Sequence, residues 1–149
     1  MMNTTVDFRP LSSDRWIALA DRHWSAANRL TSSAPGQAAF WYHQAAERYL
    51  KDCLVRRGEA FANSVTDLRT LLKTCAALEP RYEGIASLDV LERMSRWETA
   101  FAYPPAQPEE PDPAVPDQAA LGAARDVCER LRELALKDNS EGGRNDGPG

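Results

Sequence analysis

Phe40-Trp41-Tyr42-His43-Gln44-Ala45-Ala46-Glu47-Arg48-Tyr49-Leu50-Lys51-Asp52-Cys53-Leu54-Val55-Arg56-Arg57 is the run whose spacing decides the fold. With Ala38, the residues Tyr42, Ala46, Tyr49, Leu50, Cys53 and Leu54 recur at steps of three and four, as one buried helical face requires. Gln44, Glu47, Arg48 and Lys51 recur at the same steps and form a polar stripe beside that face. Gly58 follows the last apolar turn and suits a left-handed helix stop. The pattern predicts a helix from about Gln37 to Arg57, ~30 Å long at 1.5 Å per residue.

Four more helices can be read outward from it, and no strand. The first starts near Asp14 and turns Trp16, Ile17, Ala20, Trp24, Ala27 and Leu30 inward, ending in the connector Thr31–Gly36. The third follows Ser64-Val65-Thr66-Asp67, where Ser or Thr can cap, and buries Leu68, Leu71, Leu72 and Cys75. The fourth runs from Tyr82 or Ser87 to Tyr103 and is stopped by Pro104-Pro105. Residues 104–116 hold six prolines and three acids in thirteen positions, which predicts a stiff internal linker. The fifth spans about Asp117 to Lys137, and the Gly/Asn/Asp-rich stretch 138–149 reads as a disordered tail. The expected fold is all-α, an antiparallel up-and-down bundle of four to five helices forming a single domain over residues 1–137.

The chain has 149 residues, enough for a domain that removes roughly two thirds of its unfolded surface from water. Eighteen Lys and Arg face 22 Asp and Glu, a net charge of −4, which argues against a protein that works by coating nucleic-acid phosphates. Cys53, Cys75 and Cys128 lack CxxC spacing, fall on apolar helical faces, and read as buried small hydrophobes in a reducing compartment. Residues 1–13 lack the apolar core of a secretory signal, and no run approaches the ~20 apolar residues of a membrane span, so a cytoplasmic location is expected.

His43-Gln44-Ala45-Ala46-Glu47-Arg48-Tyr49-Leu50-Lys51 resembles the "QAAEKALKALL" helix of HEPN domains, the nucleotide-binding domains of higher eukaryotes and prokaryotes. Three further features stand in the family's order. The aromatic and alanine-rich first helix is similar to its opening helix. Thr66-Asp67-Leu68 stands where many members show His-Asp-Leu, and Ala102-Tyr103-Pro104 where they show Arg-Tyr-Pro. The resemblance covers residues 14–137 and implies a helical bundle that dimerises. RNase-active members share an Arg-x4–6-His motif on a late helix and cleave RNA without a metal. The chemistry needs an imidazole to move the 2′-hydroxyl proton and a guanidinium to stabilise phosphate charge. Here His23 and His43 both lie in the first two helices, and neither has an Arg with four to six residues between. No catalytic residue is therefore assigned.

The resemblance implies a binding or regulatory module with a nucleotide as ligand and a small nucleotidyltransferase as partner, in the manner of toxin–antitoxin pairs. His43, Gln44, Arg48 and Lys51, with Tyr103, are the candidate ligand-binding residues. Phe40, Trp41 and Tyr42 point in three directions at ~100° per residue, so Trp41 is the candidate homodimer contact. Nothing calls for a cofactor or a metal: there is no HExxH, GxSxG, phosphate loop or carboxylate pair at metal-ligand spacing. The alternative is a divergent metal-independent RNase using His43 or His23 with Arg48. For His43 the plainer reading is a partly buried histidine bonded to a neighbouring helix. For the polar stripe it is a solvated helix face, with an interhelical network or a ligand-facing patch as the alternatives.

Overall fold

Local signals set the helix ends in the computed structural model, which describes residues 13–59, 65–102 and 115–145. Among the described residues the helices are α1 (Ser13–Leu30), α2 (Pro35–Arg56), α3 (Leu68–Leu78), α4 (Leu88–Ala102) and α5 (Gln118–Asn145), with a 3-10 turn at Pro80–Tyr82. No strand occurs among the described residues. Pro35 opens α2 from its first turn, where its missing N–H costs nothing. Gly58, at φ +67°, closes the helix. Its N–H donates to Val55 O at 3.0 Å and that of Glu59 to Leu54 O at 2.9 Å, the paired bonds of a Schellman stop.

Asp67, rather than Ser64 or Thr66, caps α3, accepting from the Arg69 N–H at 3.3 Å and the Thr70 hydroxyl at 2.9 Å. The Leu68 N–H finds its partner on another helix, donating to Ser95 Oγ of α4 at 3.1 Å. Asp117 caps α5 through the Ala120 N–H at 2.8 Å. Most of the linker expected over residues 104–116 lies outside the described residues, as does Tyr103.

α2 is the central helix and packs against all four others. Tyr42 and Tyr49, both fully buried, hydrogen-bond across to α1: to Asn28 at 2.6 Å and to Asp21 at 2.5 Å. Those pairs show α1 and α2 to be antiparallel, since advancing along one means retreating along the other. α3 runs parallel to α2, because His43 meets Thr66, Leu50 meets Cys75 and Arg57 meets Glu79. The chain therefore reverses at every link except the one from α2 to α3, whose length allows a return to the starting end. α4 is antiparallel to α3, with Ser95 beside Leu68 and Glu92 beside Arg69. α5 is again parallel to α2, with Cys128 beside Tyr42 and Asp138 beside Arg57.

A correction concerns the tail. Of the stretch 138–149, read from composition as disordered, residues 138–145 continue α5, and 146–149 lie outside the described residues. Asp138 is 6% exposed and accepts from both terminal nitrogens of Arg57, at 2.5 and 3.0 Å, while Arg56 Nε lies at 3.1 Å. This anchor is ionic and 81 positions away in the chain, so a search for apolar periodicity passes over it. No described helix is long and apolar enough to cross a membrane.

Candidate functional site

The polar stripe of α2 is buried, because the central helix has neighbours on every side. His43, Gln44, Glu47 and Lys51 are all at most 8% exposed. Burial without partners would be costly, and the stripe meets that demand with an internal network. Lys51 Nζ donates to Glu47 Oε2 at 2.7 Å. Arg48 donates to Gln44 Oε1 at 2.6 Å and lies 3.4 Å from Glu47 Oε1. Arg48 alone of the stripe retains appreciable exposure, 24% of its side chain.

His43 is held in one tautomer. Its Nε2 is 3.0 Å from the Thr66 carbonyl oxygen, which only accepts, so the ring proton sits there and Nδ1 keeps a lone pair. Nδ1 faces Gln44 Nε2 at 3.4 Å and Glu47 Oε1 at 3.8 Å. Burial pushes the imidazole pKa down, and it outweighs the opposing pull of Glu47, Glu98 and the Thr66 bond. Glu98, half-buried on α4, joins the group: one ligand atom each from His43, Glu47 and Glu98 lie within 4.8 Å of one another. Glu47 Oε1 is buried and accepts no hydrogen bond.

His23 lies on α1, stacked on the Trp41 ring with centroids 4.8 Å apart. Its pKa is lowered to about 4, by burial first and then by the Arg48 and Arg22 guanidinium charges. Trp41 is half-buried against the core and meets Phe40 edge-on at 5.1 Å. The structure thus gathers His43, Gln44, Arg48 and Lys51 and puts Trp41 on a neighbouring surface with His23. Two contributors escaped the sequence reading. Glu98 sits on a helix with no motif around it, and Arg22 reads as an ordinary surface charge; the His43–Glu47 spacing of four was the available hint of the first. Cys53, Cys75 and Cys128 are free and buried, and the last two thiols donate to the carbonyls of Leu50 and Tyr42.

Residues 13–138 match the family model for the HEPN domain. The chain belongs to the HEPN domain family. This HEPN domain is a helical bundle, and its sequence holds no Arg-x4–6-His spacing. No curated protein and no solved structure matches the chain.

Proposed function

We propose that this HEPN domain is a non-catalytic binding and regulatory module, acting as a homodimer that takes a nucleotide and pairs with a small nucleotidyltransferase. The observation that carries the reading is the state of the two histidines. A general base must reach the proton it removes. His43 is fully buried, with Nε2 committed to the Thr66 carbonyl. His23 is stacked on Trp41, and burial first, then the Arg48 and Arg22 charges, disfavour its protonated form. Neither arrangement suits proton transfer on a 2′-hydroxyl, which weakens the alternative of a divergent RNase using His43 or His23 with Arg48.

Within the candidate ligand set, Arg48 is the residue with access to solvent. Arg48 and Arg22 offer charge to a phosphate, and the His23–Trp41 pair beside them offers a flat face to a base. Trp41 serves either this ligand or the dimer contact. Purified protein incubated with RNA should leave it intact, and a nucleotide at 100 times its dissociation constant should add ~2.7 kcal/mol of stability. Arg48→Ala should abolish that gain. RNA cleavage lost on His43→Ala would overturn the non-catalytic reading, and the absence of a melting shift with any nucleotide would overturn the ligand. A monomeric mass by light scattering, unchanged in Trp41→Ala, would remove the dimer.

A further inference from the structure

His43 and Glu47 are one helical turn apart on α2 and share a face, while Glu98 arrives from α4, which runs antiparallel to it. Three features of this group go beyond a polar network. The His43 lone pair is on Nδ1, 3.8 Å from Glu47 Oε1 and engaged only by a long 3.4 Å bond from Gln44 Nε2, because Nε2–H is spent on a backbone carbonyl. A metal-ligating histidine is held in the same way, its second N–H fixed by a carbonyl or carboxylate. Glu47 presents two unlike oxygens: Oε2 takes the Lys51 ammonium, whereas Oε1 is buried and accepts no hydrogen bond, with Arg48 Nη1 at 3.4 Å and His43 Nδ1 at 3.8 Å. The nearest ligand atoms all lie within 4.8 Å. A tetrahedral ion with N and O donors at about 2.1 Å spaces them about 3.4 Å apart. His43 Nδ1 and Glu47 Oε1 are already at 3.8 Å, so closure is a small adjustment, chiefly of the half-buried Glu98 side chain.

We propose that His43 Nδ1, Glu47 Oε1 and a Glu98 carboxylate oxygen form a site for a divalent transition-metal ion of the zinc type. One imidazole with two carboxylates suits zinc, manganese or ferrous iron better than calcium or magnesium. Three protein donors leave a fourth position for water or a ligand oxygen. The ion would tie α2 to α4 close to the point where α4 ends. Lys51 and Arg48 compensate part of the carboxylate charge, which sets the site toward moderate affinity. The other natural occupant is an internal water bridging the same three groups.

The test uses the full chain stripped of metal by chelator, with nucleotide absent, so its failure leaves the binding-module reading untouched. Zinc titrated calorimetrically should bind at one equivalent per chain and raise the melting temperature. Glu98→Gln, a near-isosteric change at a half-buried position, should weaken zinc binding at least tenfold while circular dichroism remains that of the wild type. Cobalt as a substitute should show visible d–d absorption without a thiolate charge-transfer band, and Cys53→Ser should leave that spectrum unchanged. Any of three results would overturn the proposal: no zinc binding up to millimolar concentration, which favours water, undiminished binding in Glu98→Gln, or a thiolate band that places the ion on cysteine.

Discussion

Asp138→Asn is the substitution whose effect the structure defines most sharply. The native carboxylate receives two bonds from Arg57, at 2.5 and 3.0 Å, with Arg56 Nε at 3.1 Å and an Arg81 terminal nitrogen at 3.6 Å. Asparagine keeps the shape, removes the charge and turns an NH2 donor toward guanidinium groups that only donate. Removing one partner of a buried ion pair costs about 3–5 kcal/mol, because the opposite charge stays behind without compensation. Arg57 is 21% exposed and has Glu79 at 3.3 Å as a second partner, so water and that carboxylate recover part of the loss. Arg56 keeps its pair with Asp52. The net expectation is about 2–4 kcal/mol, or a fall of about 4–16 °C in melting temperature for a chain of this size. Urea unfolding should show the midpoint dropping with the slope preserved, since the surface exposed on unfolding hardly changes. Truncation after Lys137 should cost at least as much as Asp138→Asn, because it removes the same carboxylate. A loss below about 1 kcal/mol in both variants would refute the reasoning, and with it the idea that this anchor docks the end of α5.

Two further outcomes are expected. A Cβ on Gly36 would stand 2.8 Å from Phe101 Cδ1 and 3.0 Å from Cε1, so Gly36→Ala, which in an open helix stabilises by about 1 kcal/mol, should instead lower the melting temperature, by about 1–2 kcal/mol in stability. Lowering the pH from 6.5 should destabilise the fold. His23 has a folded pKa of about 4 against 6.5 in the unfolded chain, and that of His43 is also lowered, so the unfolded state binds more protons below pH 6.5. Each such histidine adds a slope of up to ~1.4 kcal/mol per pH unit, reduced by about half for the partly solvated His23. His23→Gln should flatten the dependence between pH 4 and 6.5 measurably in urea titrations at stepped pH. Glu79, held down to about 2 by Arg81, takes up its proton in the unfolded chain from about pH 5 downward and so adds to the loss at the lower end of that window, a part that His23→Gln leaves in place.

Helix positions were legible in the sequence because their causes are local. The three- and four-residue recurrence around Tyr42, Tyr49 and Cys53 and the stop at Gly58 act within one or two turns of chain. The family resemblance was legible for the same reason, resting on one contiguous helix, and the match over residues 13–138 bears it out. Tertiary structure decided everything that depends on which helix lies in the middle. A polar stripe with period 3.6 looks the same whether its face meets water or another helix, and only the central place of α2 turned Gln44, Glu47 and Lys51 inward. The same packing brought Glu98 to His43 and Asp138 to Arg57. A carboxylate carries no mark in the sequence of the cation or imidazole it will meet across the bundle, since that choice is made by desolvation once the helices have closed around it.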